Sequence, residues 1–484
     1  MNYFDLYSSY PDQTIVAAWD SQVKETDKIP WLAELLRRRG TELFPRFATC
    51  YAELRTLPRS SRRALQRQVA HSSELAGILP QWLHSGGRLA LQHKLARSLA
   101  GAALLLALVQ GVAAAATITV TTKNPRVRPD GQCSLIEAII NANADTATHA
   151  DCAAGNGVDT IVLPAKANVI LRDMYDQTYG STGLPLITSP ITIQGNGGRI
   201  SGQGKAFRLL AVSNSGDLTL QNVNLSGGSS FNGGGLFNNG ALTIQDSTIS
   251  RNTGDGVSNH GSLTIENSTI SGNKNGAGVS NGGFVSIANG TTSQNPLKTG
   301  RFCFYSYYFY YYGGGVFCSY NYSGELTITN STISNNLVGI INQSGTVTIA
   351  NSNISGNKGF FGGVFNNGGS HDYYGNYIPA GDMSIADSTI SKNSAQRGGG
   401  IFNRGIFTIE NSTISGNKAA EDGGGIFNST NYNAPAGDLS LLDTTISENR
   451  ATDAGGGLFN EGSLTMSNSV ISNNKARFGP DIFP

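Results

Sequence analysis

The stretch Phe407–Asn428, FTIENSTISGNKAAEDGGGIFN, is the clearest unit of a repeat that begins near residue 215. Alignment on the Asn three residues after the isoleucine of Ser-Thr-Ile gives spacings of 21, 22, 41, 21, 36, 24, 32 and 25 residues. A base period of about 21 is typical of solenoid proteins. Apolar residues such as Leu263 and Ile265 alternate with Thr and Ser, which indicates strands. The repeat therefore predicts an all-β parallel β-helix, a rod whose strands stack about 4.8 Å apart.

Stacked coils place equivalent residues above one another, so the alignment also predicts ladders of side chains. An isoleucine ladder should fill the interior: Ile249, Ile270, Ile333, Ile354, Ile390, Ile414, Ile446 and Ile471. An aromatic ladder contains Phe237, Phe317, Phe365, Phe402, Phe427 and Phe459. An Asp/Asn ladder contains Asp246, Asn267, Asn289, Asn330, Asn351, Asp387, Asn411, Asp443 and Asn468. The residues used for the alignment give a further, structural ladder, the first asparagine ladder: Asn252, Asn273, Asn295, Asn336, Asn357, Asn393, Asn417, Asn449 and Asn474. Stacked amides can hydrogen-bond along such a rod.

The composition agrees with a chain of short strands and turns. The 484 residues include 61 Gly and 44 Asn, charged residues make up 14% and the net charge is +1. A coiled coil would need much more Ala, Glu, Lys and Leu, and a disordered chain would lack the recurring apolar residues. Residues 117–484 carry 20 Lys/Arg against 24 Asp/Glu, so the basic surface that nucleic-acid binding requires is missing.

The segment 99–116 reads LAGAALLLALVQGVAAAA, an apolar run without charge that follows Lys94 and Arg97. It predicts a secretory signal with a cleavage site at residues 114–116, or an uncleaved membrane anchor. Either would export the C-terminal body, because the stretch before it, residues 37–97, has 12 Lys/Arg against 3 Asp/Glu and should stay inside. We expect membrane contact only through 99–116, if uncleaved. Residues 1–98 read as a basic α-helical leader, either a cytosolic extension or the product of a start codon assigned too early.

Four cysteines lie in the exported part: Cys133, Cys152, Cys303 and Cys318. Their spacings of 19 and 15 residues suggest two local disulfides, Cys133–Cys152 and Cys303–Cys318, although four cysteines leave three pairings open. Disulfides agree with export. No Cys-x-x-Cys or His cluster accompanies them, so we predict no zinc site, no other metal and no cofactor.

From Cys133 the chain reads CSLIEAIINAN, with Cys152 downstream. This resembles the CSLREA domain, a short module near the N-terminus of exported bacterial β-helix proteins, with Ile136 in place of that family's Arg. The coil motifs ISGNK and GGGIFN resemble the repeats of polymorphic outer-membrane proteins and, more broadly, the pectate-lyase-like right-handed β-helix superfamily. The resemblances cover about 117–484. They imply a right-handed, single-stranded β-helix with a helical, disulfide-pinned cap at 117–157, irregular first coils at 158–230 and regular repeats at 231–484.

Enzymes of that superfamily would need grouped acidic residues, and we predict no catalytic residue here. Asp387 and Asp443 share a register, but Asn411 lies between them, so they should be two rungs, about 9.6 Å, apart. That is at the edge of the range of inverting glycosidases. His260, in Asn-His-Gly, resembles the His-Gly of polygalacturonase-like hydrolases without their grouped Asp residues, and is predicted to be a turn residue.

An alternative remains open, a polysaccharide lyase or glycoside hydrolase whose active site lies in 158–230. An acidic cluster that converges with Arg172, Arg199 or Arg208 would favour this alternative.

Three insertions open at one position of the repeat: Cys318–Gly324, Asn366–Gly381 and Asn428–Gly437. In a solenoid such insertions emerge on one face, often the binding face. They carry the tyrosines that we predict to bind glycans or surface proteins: Tyr320, Tyr322, Tyr373, Tyr374, Tyr377 and Tyr432. The alternative is that the insertions are surface loops without a binding role, and that their tyrosines are incidental.

Between Arg301 and Tyr322, 12 of 22 residues are aromatic, consistent with an adhesive flap, an interface or an aggregation-prone segment. The favoured function is an exported, non-enzymatic β-helix protein, adhesin-like or structural, at the bacterial surface or secreted. Its oligomeric state is left open.

Overall fold

The computed structural model describes residues 116–295, 316–318, 324–342, 344–368, 370–371, 377–378, 380–430 and 437–484. The predicted leader at 1–98, nearly all of the apolar run at 99–116 and most of the aromatic segment lie outside these residues. The described residues belong to one compact unit, Ala115–Pro484. No helix among them is long and apolar enough to cross a bilayer.

The N-terminal cap contains one α-helix, Leu135–Ala144. Ser134 caps it, because its Oγ accepts from the Glu137 N–H while Glu137 accepts from the Ser134 N–H, a reciprocal capping box. The helix ends at Asp145 in the left-handed conformation, φ 50°. The disulfide Cys133–Cys152 holds the start of the helix, and Leu135 and Ile139 are fully buried. The predicted helical, disulfide-pinned cap is therefore confirmed.

Behind the cap, the chain winds into a parallel β-helix, which confirms the predicted fold class. Each regular coil begins with an A strand, and these strands are Ala241–Gln245, Ser262–Glu266, Phe284–Ala288, Glu325–Thr329, Thr346–Ala350, Asp382–Ala386, Ile406–Glu410, Asp438–Leu442 and Ser463–Ser467. A B strand follows after a corner, and these strands are Thr248–Ser250, Thr269–Ser271, Thr291–Ser293, Thr332–Ser334, Asn353–Ser355, Thr389–Ser391, Thr413–Ser415, Thr445–Ser447 and Val470–Ser472.

The A and B strands join the strands of the first coils in a single sheet, which has 23 described strands. The strands of the first coils are Thr117–Thr119, Asp159–Val162, Asn168–Ile170, Pro190–Ser201 and Asp217–Ser226. Pro190–Ser201 and Asp217–Ser226 each replace an A and B pair, and the register between them shifts between Gln194 and Gly198. Asn196 and Asn222, inside the two long strands, adopt the same left-handed conformation as the corner residues of the regular coils, with φ 49° and 50°.

A second sheet closes the rod with 11 described C strands. They are Leu210–Val212, Leu236–Asn238, Val257–Asn259, Val279–Asn281, Val316–Cys318, Ile340–Asn342, Val364–Asn366, Ile401–Asn403, Ile426–Asn428, Leu458–Asn460 and Ile482–Phe483. A three-stranded sheet adds Ser394–Ala395, Lys418–Ala419 and Arg450–Ala451, and a hairpin pairs Ser370–His371 with Tyr377–Ile378.

The interior of the described rod is an apolar column, because alternate residues of all three strand types point inward. The isoleucine ladder runs through the B strands, from Ile249 to Ile446 at 0–1% exposure. Thr292 interrupts this ladder, because Thr292 pairs in register with Ile270 on one side and with Ile333 on the other. Each buried isoleucine stabilises the fold by about 1.5–3 kcal/mol.

The aromatic ladder lies on the opposite face of the C strands from this column. Phe365, Phe402 and Phe427 are buried in a separate cluster with Val338, Ile341 and Phe361. Ring centroids of Phe402, Phe427 and Phe459 follow one another at 5.0 and 4.9 Å. Phe237 belongs to the same register but is separated from Phe317 by Ser258 and Ser280, so the stack is not continuous.

The Asp/Asn ladder forms the corner between A and B strands. All nine residues have φ between 44° and 53°, a left-handed conformation that Asn and Asp adopt more readily than other non-glycine residues. Asn411, for example, donates to Asp387 over 2.5 Å. The repeated Asx residue at this position is therefore explained by backbone geometry.

The first asparagine ladder is buried inside the next corner, after each B strand. Asn393 donates its side-chain amide to Oδ1 of Asn417 over 3.1 Å, and Asn417 to Asn449 over 2.9 Å. Backbone N–H groups donate to the same oxygens, as from Asn393 to Asn417 over 2.9 Å. The ladder ends where Asn474 donates to Asp481 over 3.0 Å. These bonds satisfy polar groups of a corner from which water is excluded.

Candidate functional site

The three tyrosine-bearing insertions start and end at one edge of the rod. They leave after the C strands that end at Cys318, Asn366 and Asn428, and they rejoin at A strands that begin at Glu325, Asp382 and Asp438. The C-strand register runs from Cys318 through Asn342 to Asn366, and on through Asn403 to Asn428. Successive insertions are thus two rungs apart, about 9.6 Å.

The tyrosines themselves are less fully described. Tyr320, Tyr322, Tyr373, Tyr374 and Tyr432 lie outside the described residues. The backbone of Tyr377 lies opposite His371 in the antiparallel hairpin of the second insertion. Cys303 is also outside the described residues, and Cys318 is placed by its strand alone. The second predicted disulfide therefore stays a prediction.

A second asparagine ladder, which sequence reasoning missed, underlies the same edge. Asn366 donates to Asn403 over 3.0 Å, Asn403 to Asn428 over 2.9 Å and Asn428 to Asn460 over 2.7 Å. Each residue also closes its own turn, since the Gly405 N–H donates to Asn403 over 3.1 Å. The Phe-Asn dipeptide that recurs at the ends of the C strands is the sequence pattern that could have predicted this ladder. The insertions that follow Asn366 and Asn428 consequently leave from a hydrogen-bonded base.

A polar groove crosses the B strands near the N-terminal end of the rod. Its cavity of about 350 Å³ is lined by Arg199, Asn224, Ser226, Thr248, Ser250, Arg251, Ser271, Gly272 and Gln294. Arg199 donates through Nε to Oγ of Ser226 over 2.6 Å. Hydroxyls, amides and two guanidiniums line this groove, and none of its described lining residues is a carboxylate. It can donate and accept hydrogen bonds, but it lacks the acid–base pair that glycoside hydrolysis requires.

Arg208 is buried elsewhere, on the outer face of the C strands, at 4% exposure. Its guanidinium lies 4.8 Å from the ring centroid of Phe237 and donates to Ser230 over 3.2 Å. Burial lowers the pKa of Arg208 to about 10. Tyr179 and His260 each place a ring 5.3 Å from that of Phe237, and burial lowers the pKa of His260. His260 is thus packed against an aromatic ring.

The third arginine of the predicted alternative, Arg172, lines a separate depression that we call the cap cleft. Its cavity of about 280 Å³ lies between the cap and the first coil, and is lined by Asn124, Pro125, Arg126, Val127, Arg128, Ile136, Leu171, Arg172, Asp173, Met174, Tyr175 and Gly183. Ile136, from the helix of the cap, is part of this lining. Arg172, Arg199 and Arg208 therefore do not converge on one acidic cluster.

Carboxylates are dispersed over the described part of the rod. Asp387 and Asp443 occupy the exposed corner at φ 49° and 48°, on rungs separated by that of Asn411. Within the described ranges no three His, Cys, Asp or Glu residues are grouped closely enough to hold a metal ion. The carboxylates of Glu421 and Asp422, neighbours in the chain, face Arg397, whose Nε lies 2.6 and 3.7 Å from them.

Several solved structures are similar to this chain, among them a pectate lyase and a mannuronan epimerase. No protein-family model matches the chain, and no curated protein matches it. The crystal structure of pectate lyase Pel9A is similar with 14% identity and a TM-score of 0.33, over 75% of this chain and 80% of that chain. The A-module of the Azotobacter vinelandii mannuronan C-5 epimerase AlgE4 is similar with 15% identity and a TM-score of 0.40, over 72% of this chain and 99% of that chain. At these identities and TM-scores, neither similarity bears on the activity of this chain.

Proposed function

We propose that the chain is an exported surface or secreted protein that binds glycans or surface proteins through its three tyrosine-bearing insertions, without catalysing a reaction. The observation that carries the proposal is the shared register of the insertions at Asn366 and Asn428, which both leave after a C strand and rejoin at an A strand. Insertions that share a register emerge on one face and can contact one extended ligand together.

The chemistry of the insertions supports this role. Tyrosine offers a flat apolar ring and a hydroxyl at a low cost in conformational entropy, and Asn adds hydrogen-bonding amides. The base is preorganised, because the second asparagine ladder fixes both Asn366 and Asn428. A spacing of two rungs repeats the binding elements along the rod, which suits a ligand that itself repeats.

A glycan array probed with the full-length protein tests the proposal. The variant Tyr373→Ala/Tyr374→Ala/Tyr432→Ala should lose the array signal and keep the circular dichroism spectrum of the parent. A control variant, Tyr305→Ala/Tyr307→Ala/Tyr308→Ala, removes three tyrosines of the aromatic segment that precedes the C strand Val316–Cys318, and it should keep the signal. Unchanged binding by the first variant would disprove a tyrosine-based site.

The same protein should be incubated with a polysaccharide panel to test the enzymatic alternative. New reducing ends or unsaturated uronate products would establish a hydrolase or lyase and overturn the non-enzymatic proposal. Protease accessibility of the C-terminal body on intact bacterial cells, together with its recovery from the medium, tests export. A body protected in intact cells and absent from the medium would contradict it.

A further inference from the structure

The cap cleft brings together residues that are far apart in the chain. One wall is the extended run from Asn124 to Arg128, and the other contains Leu171 to Tyr175. The two walls are more than 40 residues apart in sequence. Neither belongs to the repeat, and neither contributes to the tyrosine-bearing edge.

The wall from the cap is held in place by hydrogen bonds to a buried carboxylate. Glu137, at 1% exposure, accepts from the Arg128 N–H over 2.9 Å through Oε1 and from the Ser134 N–H over 2.9 Å through Oε2. The Cys133 N–H donates to Thr121 over 2.8 Å. Arg128 is thereby tied to the capping box, and Thr121, just before this wall, is tied to the disulfide-bonded Cys133.

The wall from the first coil is also fixed. Leu171 donates its N–H to Ser201 over 2.8 Å, and Tyr175 donates to Thr182 over 2.7 Å. Gly183 lies at the floor, where a β-carbon would meet Leu171 and Phe207 at 2.8 Å. Side chains presented from two fixed walls bind with less loss of conformational entropy than side chains on free loops.

The cleft carries three cationic side chains with no anionic partner in the described structure. Arg126, Arg128 and Arg172 are exposed, and none takes part in an ion pair or a side-chain hydrogen bond among the described residues. Asp173 is the single carboxylate among the described lining residues. Residues 117–484 have a net charge of −4, from 20 Lys/Arg and 24 Asp/Glu. The cleft is therefore positively charged within a part of the chain that is negatively charged as a whole. Such a site attracts anions.

Exposed apolar surface lies beside these charges. Tyr175, Met174 and Val127 are 47, 51 and 40% exposed. A ligand that fits must therefore combine negative charge with a ring face that can pack on an aromatic or aliphatic side chain. Guanidinium groups pair with carboxylates in a bidentate geometry. A pyranose ring with a carboxylate has both properties.

We infer that the cap cleft binds acidic polysaccharide, with the guanidiniums of Arg126, Arg128 and Arg172 on uronate carboxylates and a sugar ring against Tyr175. The inference extends the proposed glycan binding to a named ligand class at a second site. It needs none of the tyrosine-bearing insertions. No bond is made or broken in this site.

Binding of a polygalacturonate decasaccharide to the full-length protein, measured by calorimetry, tests the inference. Arg126→Gln/Arg128→Gln/Arg172→Gln should weaken the affinity at least about tenfold, because three charge-assisted contacts are lost. Lys274→Gln/Lys358→Gln/Lys418→Gln makes the same change in net charge at exposed positions of the rod outside the cleft and should leave the affinity within about twofold. Tyr175→Ala should also weaken binding, while neutral dextran should not bind in this cleft.

Equal loss of affinity in the two triple variants would show nonspecific attraction and overturn the inference. Binding to phosphatidylglycerol vesicles, but not to the decasaccharide, in an Arg-dependent manner would assign the cleft to a lipid surface and overturn it as well. Dextran sulfate that binds Arg-dependently in place of the decasaccharide would overturn the assignment to uronates. The glycan array tests the proposed function separately. If the cleft does not bind the decasaccharide, the parent should still give an array signal and Tyr373→Ala/Tyr374→Ala/Tyr432→Ala should still lose it.

Discussion

Asn417 and Asn449 are 32 residues apart in the chain, yet the side-chain amide of Asn417 donates to Oδ1 of Asn449 over 2.9 Å. The insertion between them leaves and rejoins the rod without disturbing the stacking of the coils that flank it. Oδ1 of Asn417 itself accepts from both the N–H and the side-chain amide of Asn393. One buried amide thus serves two neighbouring coils.

Replacement of Asn417 by Ala should destabilise the rod strongly. It leaves two buried donors of Asn393 without an acceptor, which costs about 1–3 kcal/mol for each unsatisfied group. Chemical denaturation should show a loss of about 2–4 kcal/mol in the free energy of unfolding. Asn353→Ala makes the same change on an exposed B-strand position and should stay within about 0.5 kcal/mol of the parent. A similar loss in both variants would contradict a ladder-specific role.

Replacement of Thr292 by Ile should stabilise the protein. Thr292 is 2% exposed and interrupts the isoleucine ladder between Ile270 and Ile333. The larger apolar side chain adds buried surface, and we expect a gain of about 1 kcal/mol and a higher melting temperature. Thr291→Ile, on the outward side of the same strand, is the matched control and should not raise it. A lower melting temperature for Thr292→Ile would mean that the site cannot accommodate the added volume.

Replacement of Lys392 by Gly should also stabilise the protein. Lys392 has φ 55°, while Gly356 and Gly416 occupy the same corner in the adjacent coils with φ 67° and 65°. A left-handed conformation costs a non-glycine residue about 1–2 kcal/mol, partly offset by the greater freedom of an unfolded glycine. Calorimetry should show a net gain of about 0.5 kcal/mol.

Lys418→Gly is the control for the preceding prediction, because Lys418 lies in the extended strand Lys418–Ala419. Glycine in a strand interior is destabilising by about 0.5–1 kcal/mol. Opposite signs for the two Lys→Gly changes are therefore expected. A loss of stability in both would refute relief of backbone strain at position 392.

The stability of the protein should fall between about pH 4 and pH 7 through Asp255. Burial raises the pKa of this carboxyl from 3.8 to about 7, with a partial opposing effect of the hydrogen bond from the Ala277 N–H. The folded protein holds the proton more tightly than the unfolded chain does, so the contribution is most favourable below the unfolded pKa and is lost as pH rises through about 7.

Asp255→Asn tests this, because the amide stays neutral and can still accept from Ala277. The difference in melting temperature between variant and parent should be largest, in favour of the variant, at pH 8 and should shrink towards pH 4. Asp443→Asn, on the exposed corner, serves as the charge-matched control. A difference that does not change with pH would contradict the raised pKa.

Most of the fold was predictable, because the ladder residues are in register by virtue of the repeat itself. The isoleucine column, the Asx corner and the cap disulfide all follow from residues such as Ile414, Asn411 and Cys133. The second asparagine ladder was missed although its signal, Phe-Asn at the end of each C strand, was present. For the candidate sites, Arg172 was singled out without Arg126 and Arg128, although arginines two residues apart in an extended segment share a face.

The sequence by itself determined the period, the strand composition and which residues stack, since stacking repeats a local pattern and each coil need only match its neighbour. Only the tertiary structure decided that Phe402 and Phe427 pack outside the rod and that the three arginines converge with Tyr175 at the cap. Those arrangements depend on contacts between non-equivalent segments far apart in the chain. Such contacts do not recur with the period of the repeat, so the repeat pattern does not predict them. At the cap, it is the path of the cap and of the first coil that brings the contacting segments together.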